Sequence, residues 1–329
     1  MTRIAYIYDG GFLTWPAVIL TLAAAGTVFL FLGLYLRTPG NALAGFVVVP
    51  LAVSASLLAA RLVHWYCFSG NYESLTAAVT NLRFGGFTLV GVFAGCLAAA
   101  VVTRLLRLHK NLPRMLDCMC LAGAAGIAAG RLASFFDSSD RGQILASVRS
   151  MPWVYPVVNT VSGAMEYRLA TFLLQAMVAG VIFVVLTVFL LTGKKNRRDG
   201  DAALLFALLY SASQVVLDST RYDSLYFRSN GFVSIVQVLS ALALVGVIVV
   251  FSLRLVRSRG FRKWYLLLWL AIAALIGAAG YMEYHVQRHG NKALFAYSVM
   301  SGCLLLVVLL TVLIRWLGNR KTKHILTEA

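Results

Sequence analysis

Apolar runs long enough to cross a lipid bilayer constrain this chain more than anything else in it. A hydrocarbon core of roughly 30 Å takes about 20 helical residues. Such runs occur at residues 16–36, 44–66, 86–106, 115–136, 169–192, 202–217, 230–253, 264–282 and 297–317. They lack the alternation over about ten residues that marks a transmembrane barrel strand. The expected fold is therefore all-α: a polytopic integral membrane protein with about nine transmembrane helices. The run at 202–217 is short and the most polar, which makes it the weakest candidate. Composition agrees, since only 12% of the 329 residues are charged and 60% are hydrophobic, against about 25% charged in a soluble domain.

The net charge of +17 would suggest nucleic acid in a soluble protein. Here the cations fall in every second loop, the bias that sets membrane orientation, so no nucleic-acid partner is expected. Arg104, Arg107, Lys110 and Arg114 fill one loop; Lys194, Lys195, Arg197 and Arg198 another; Arg254, Arg257, Arg259, Arg262 and Lys263 a third. Arg315, Arg320, Lys321 and Lys323 mark the tail. This pattern predicts the N-terminus outside and the C-terminus in the cytoplasm, which an odd number of spans also requires. The opening MTRIAYIYDGGFLTWP lacks the charged start and short apolar stretch of a cleavable signal peptide, so the first run reads as a retained span. Of the five cysteines, Cys67, Cys96, Cys118, Cys120 and Cys303, Cys118 and Cys120 would point to different sides of one helix with no histidine near them in sequence, and Cys67 at the outer boundary reads as a plain thiol. No metal or other cofactor is expected.

An ionisable residue within a spanning helix costs about 2.5–3.5 kcal/mol at mid-depth, so each one asks for a reason. Three runs supply them. AARLVHWYCF places Arg61, His64 and Trp65 on adjoining positions of one helical face. GIAAGRLASFFDSSDRG puts Arg131, Ser134 and Ser138 on one face, with Asp137 at the boundary. In LLYSASQVVLDSTRYD, Tyr210, Gln214, Asp218 and Arg221 fall within about 80° of one another. Either Arg61 or Arg131 alone is explained by snorkelling to the headgroups, and His64 beside Trp65 and Tyr66 by an interfacial aromatic belt. Three cation-bearing helices at one outward depth are not. Guanidinium forks bind phosphate oxygens bidentately, and the nearest phosphates in a membrane are headgroups. The residues thus point to a phospholipid headgroup site at the outer leaflet.

These segments resemble the prolipoprotein diacylglyceryl transferases, membrane enzymes that move a diacylglyceryl group from phosphatidylglycerol to the lipobox cysteine of a lipoprotein precursor. ARLVHWYCFSGNY (60–72) resembles that family's Gly-Arg segment, and GGFTLVGVFAG (85–95) its Gly-Gly block. AAGRLASFFDSSDRG (128–142) resembles its Gly-Arg/Asn-Phe/Asn-Gly-Glu signature. YSASQVVLDSTRYD (210–223) resembles a Tyr-Arg-Glu-Arg segment, and VSIVQVLSAL (233–242) the start of the last span. The resemblance covers about residues 60–255, with a weaker match before. It implies a seven-helix transferase-like membrane domain over 1–255, with an outside loop near 137–168, followed by a two-helix extension with a basic tail over 256–329. It implies a bacterial cell membrane, a phosphatidylglycerol-like phospholipid and a lipoprotein precursor peptide as partners.

The departures matter as much. A catalytic His of the Gly-Gly block is Val90 here, the signature Asn is Ser134, and its turn is Asp137-Ser138-Ser139. One Arg of the sixth-run segment is Gln214, and the His-Pro-Ser-Gln-hydrophobic-Tyr-Glu block is reduced to RLATFLLQ at 168–175. The resemblance makes Arg131, Arg221, Asp218 and Tyr210 catalytic candidates, and the need for a base adds His64 and Asp137, neither of which sits where the family's His does. Arg61, Arg131, Ser134, Gln214 and Arg221 are the lipid-binding candidates. A thiol attacks as thiolate, so its proton needs a base; with no His at 90, the candidates are His64, Asp137 and Asp218. Two functions stay open: a divergent diacylglyceryl transferase, and a non-catalytic phospholipid-binding homologue with a regulatory or partner-docking role. A transporter is disfavoured by the lack of an inverted repeat and of Gly/Pro-broken helix pairs. SVRSMPWVYP, where Pro152 and Pro156 bracket Trp153 and Tyr155, is expected to be a lid or an interfacial anchor.

Overall fold

Short polar caps set the helices off from their loops. Thr14 accepts from the Ala17 amide at the start of α1 (Trp15–Tyr35), with Pro16 in the first turn. Asn41 opens α2 (Ala42–Cys67), Thr88 opens α4 (Leu89–Leu105) and Asn111 opens α5 (Leu112–Arg131). A six-residue α3 (Leu75–Thr80) lies between α2 and α4. The remaining long helices are α6 (Thr171–Thr192), α7 (Asp201–Ser219), α8 (Ile235–Arg259), α9 (Trp264–His289) and α10 (Ala293–Asn319). The computed structural model describes residues 4–8, 11–38, 41–81, 86–109, 111–137, 140–144, 154–159, 162–192, 197–227, 230–289 and 293–319.

Eight of these helices are long and apolar enough to span a membrane. The run at 202–217, expected to be the weakest, is among them as α7. Besides the six-residue α3, the helix that falls short of that length is α4, with 17 residues. The chain is an all-α polytopic membrane protein, with one addition the sequence did not disclose. Three antiparallel hairpins stand at one end of the bundle: β1–β2 (Ile4–Tyr8, Gly11–Thr14), β3–β4 (Val154–Val158, Met165–Leu169) and β5–β6 (Tyr226–Phe227, Asn230–Ser234). β4 and β6 use residues counted in the apolar runs, so α6 and α8 begin a few residues later than those runs do.

Small residues draw α4 against α2. A Cβ at Gly91 would lie 2.3 Å from Ala60 Cα, and one at Gly95 would lie 2.3 Å from the Ser56 nitrogen. Gly91/Gly95 and Ser56/Ala60 are both spaced by four, which lets two backbones meet along one face. Thr88 donates to the Ala60 carbonyl at 3.2 Å and Ser56 to that of Val92 at 3.1 Å. A first apolar core joins α1, α2, α4 and α5 through Phe31, Val48, Ala99 and Met115. A second joins α5 to α10 through Leu121, Leu186, Leu208, Phe251 and Val307. Leu22, Phe29, Leu97, Val181, Leu242 and Leu267 are exposed, as residues facing acyl chains would be.

Polar networks stand at both ends of the helices. At the end where α7 begins, Asp117 accepts from the Gly200 and Ala203 amides at 2.8 Å, where the helix dipole favours a carboxylate. Gly200 enters that helix at φ 89°, a backbone suited to glycine. Asp201, fully buried, accepts from Arg254 of α8 at 2.6 Å and from Arg315 of α10 at 3.0 Å. At the other end, α5, α7 and the β3–β4 and β5–β6 hairpins surround the candidate site.

Candidate functional site

Asp140 is the centre of this site. α5 ends at Arg131, and a 3₁₀ turn over Leu132–Phe136 carries the chain back toward the bundle. Asp140 then adopts φ 56°, a left-handed backbone that Asp tolerates better than most residues. Its amide donates to Asp223 Oδ2 at 2.9 Å and its carbonyl accepts from the Phe172 amide at 3.1 Å. Residues 141–144 are laced between β4 and the end of α7: the Gly142 amide donates to the Leu169 carbonyl, that of Gln143 to Thr220 and that of Tyr222 to Arg141.

Held this way, the Asp140 carboxylate receives two guanidiniums. Arg131 Nη1 donates to Oδ2 at 2.6 Å, and Arg221 Nη2 reaches Oδ1 at 2.7 Å. Ser134 Oγ donates to the same Oδ2 at 3.2 Å. Arg221 also pairs with Asp223 at 3.1 Å and Asp218 at 3.6 Å. Two cations thus face three carboxylates in a cluster whose members, except Asp223, are largely buried. Burial would raise the Asp140 pKa, but the Arg131 and Arg221 charges outweigh it and hold the carboxyl well below the usual range. Burial would likewise lower Arg221, and Asp140 and Asp223 reverse that.

Tyr210 lies against the Arg131 guanidinium. Gln214, buried one turn further along α7, accepts from Gln175 Nε2 at 3.4 Å. Asp218 accepts the Ser234 hydroxyl on Oδ2. Ser234 and Gln237 form a reciprocal capping box at the start of α8. Of the four residues aligned on one face of α7, Arg221 lies beyond the helix, which ends at Ser219. Asp137, just after the 3₁₀ turn, accepts from Arg141 Nη2 through its carbonyl. Ser138 lies outside the described residues.

Arg61 and His64 form a separate cluster. Arg61 is 2% exposed, and its guanidinium donates to the carbonyls of Ala78, Asn81 and Gly86 at 2.8, 2.6 and 3.3 Å. It ties α3 and the turn before α4 onto α2. Tyr72 OH lies 2.7 Å from His64 Nδ1 and accepts from Arg61 Nη1 at 3.4 Å. The two clusters flank the start of α4: Phe87 lies 5.3 Å from the Arg61 guanidinium, and Phe93 stacks edge-on to Tyr210 at 5.4 Å.

The β3–β4 hairpin covers the base of the Asp140 segment. Arg141 is sandwiched between Tyr155 at 4.0 Å and Phe172 at 4.5 Å, and Tyr155 donates to the Phe135 carbonyl at 2.9 Å. Burial pulls the Arg141 pKa below its usual value. Pro152 and Trp153 lie outside the described residues.

The sequence alone does not single out Asp140, Tyr72, Ser234 or Gln237. Asp140 gives no signal in the sequence, because loop geometry brings it to the arginines. The Ser-x-x-Gln spacing of 234 and 237 was readable as a helix cap.

Comparison with known proteins identifies the family. A family model for prolipoprotein diacylglyceryl transferase matches residues 3–253. The phosphatidylglycerol–prolipoprotein diacylglyceryl transferase of Finegoldia magna is 25% identical over 255 residues, 74% of this chain and 94% of that protein. Its namesake from Gloeobacter violaceus is 31% identical over 170 residues, 50% of this chain and 59% of that protein. That from Shouchella clausii is 27% identical over 208 residues, covering 59% and 70%. The matched residues span the Gly-Gly block, the Arg131 segment and the α7 segment, and the chain belongs to the prolipoprotein diacylglyceryl transferase family.

Proposed function

We propose that this chain transfers the diacylglyceryl group of a phosphatidylglycerol-like phospholipid to the cysteine thiol of a lipoprotein precursor, at the outer face of a bacterial cell membrane. The observation that carries the reading is the convergence of Arg131 and Arg221 on one carboxylate within the family-matched segment. Asp140 aligns the two guanidiniums, and each guanidinium has five donors. In this reading the donors left over after Asp140, Asp223 and Tyr210 have taken theirs meet the headgroup phosphate.

The thiolate sulfur then attacks the glyceryl carbon that bears the phosphate ester. A C–S bond forms, the C–O bond breaks, and glycerol phosphate leaves with its charge met by Arg131 and Arg221. The thiol proton goes to a base. Asp140 is a poor one, because two guanidiniums hold it ionised. Asp218 is 1% exposed and takes the Ser234 hydroxyl. The role is assigned to His64: in the tautomer that donates Nδ1–H to Tyr72, Nε2 carries the lone pair that accepts a proton. Gln214 and Ser134 line the same end of the bundle as neutral polar groups in the lipid-binding set. The basic loops at the opposite end would face the cytoplasm.

The test uses purified protein in vesicles containing phosphatidylglycerol, with a lipobox peptide. A mass gain of one diacylglyceryl group, lost in Arg131→Ala, supports the reading; an unmodified peptide, under conditions where a relative modifies it, contradicts it. Gln214, paired with Gln175, and Val90 favour a second reading, a phospholipid-binding homologue without turnover. Phosphatidylglycerol retained in native mass spectrometry beside an unmodified peptide would select it.

A further inference from the structure

α9 and α10 lie beyond the family-matched residues, yet a chain of hydrogen bonds runs from α9 into the site. Gln237 Nε2 and Gln287 Nε2 both donate to Glu283 Oε1, at 2.9 and 2.6 Å. Gln237 Oε1 accepts from the Ser234 amide at 3.1 Å, and Ser234 Oγ accepts from the Gln237 amide at 3.0 Å. The one hydroxyl hydrogen of Ser234 is then committed to Asp218 Oδ2. The other oxygen, Asp218 Oδ1, lies 3.6 Å from Arg221 Nη1.

We infer that Glu283 is a positioning residue for the transfer reaction: by clamping the Gln237 amide it holds the Ser234 hydroxyl on Asp218, and so fixes the Asp218 carboxylate beside Arg221. The inference rests on the transferase reading above. Glu283 is 8% exposed, and its Oε2 has no hydrogen-bond partner among the described residues. A buried carboxylate with one unserved oxygen costs stability in a membrane helix. An apolar residue of similar size would avoid that cost, and Gln237 Nε2 would keep the Val215 carbonyl at 3.3 Å. Stability therefore gives no reason for an acid here, whereas alignment of Asp218 does. The carboxylate oxygen accepts two amide donors at once, which locks the Gln237 side chain in the rotamer its capping box needs.

Glu283→Leu, Glu283→Gln, Ser234→Ala and the Glu283→Leu/Ser234→Ala double variant test this. The readouts are kcat/KM for the lipobox peptide in phosphatidylglycerol vesicles and the thermal midpoint. Glu283→Leu is expected to lower kcat/KM about tenfold or more, because a shifted Asp218 displaces Arg221, which meets the phosphate, with the thermal midpoint unchanged or higher. Glu283→Gln, whose carbonyl still accepts from Gln237, stays within about threefold. Added to Ser234→Ala, Glu283→Leu lowers activity by less than about twofold further, because both act through one hydroxyl. Losses that multiply in the double variant, or activity that falls only as the thermal midpoint falls, would overturn the inference. If the unmodified protein has no transferase activity, the functional reading fails on its own, and the same four variants are compared by phosphatidylglycerol affinity in native mass spectrometry. Non-additive affinity losses there uphold the Glu283 inference and additive losses overturn it.

Discussion

Asp140 decides how the site behaves. It is held in a left-handed backbone by bonds to Asp223 and Phe172 and receives both arginines. Its carboxyl titrates below its unfolded value, so the stability it contributes is complete above about pH 4, the ordinary carboxylate pKa, and is lost as pH falls through the lower folded value. Asp140→Asn should therefore lower the thermal midpoint by a constant amount near neutrality, and the gap to the unmodified protein should close as pH drops below about 4. A gap independent of pH to the lowest values measured would contradict this. Asp140→Ala leaves Arg131 and Arg221 facing each other without their shared anion and should cost about 3 kcal/mol of stability, read by denaturant titration. His64→Ala should lower kcat by about a hundredfold or more, as loss of a general base does, whereas a residual rate near that of the unmodified protein would return the role to Asp137 or Asp218.

At the scale of elements, the apolar runs and the capping residues were legible in the sequence because they are local. A run of about 20 apolar residues reads as a span wherever it packs, and Thr14, Asn41, Thr88 and Asn111 mark their helix starts by residue type. The hairpins were not legible: Tyr226–Phe227 is two residues long and β6 is continuous with the apolar run of α8. The site was half legible. Arg131, Ser134 and Arg221 stand out as polar residues in apolar surroundings, but their common partner, Asp140, is brought to them by the fold and not by helical spacing. Arg61 stood out equally and turned out to hold backbone carbonyls. The α2–α4 contact is a separate matter of small residues. Gly91→Val puts atoms where Ala60 backbone already lies 2.3 Å from the first of them, so it should separate the helices and lower the thermal midpoint by several degrees, on the scale of an overpacked core. An unchanged midpoint would mean the two helices do not meet there.

The whole molecule is tied together at both ends. α10 reaches Asp201 through Arg315 at one end, and Tyr297 donates to the Ser219 carbonyl at 3.3 Å and accepts from Gln143 at 3.0 Å at the other. The helices beyond residue 253 thus pack onto α7 and α8, the elements that carry Asp218 and Ser234. Arg315→Ala leaves the buried Asp201 with Arg254 as its remaining side-chain cation among the described residues and should cost about 1–3 kcal/mol, measured by denaturant titration in detergent.

The central claim is that Arg131 and Arg221 serve a phosphate that leaves while a thiol takes its place. Simultaneous measurement of free glycerol phosphate and lipidated lipobox peptide, from phosphatidylglycerol vesicles and the purified protein, tests it most directly. The account predicts the two products in equal amounts, with both abolished in Arg131→Ala and in Arg221→Ala. Lipid retained by the protein with neither product formed, or products undiminished in both arginine variants, would contradict it.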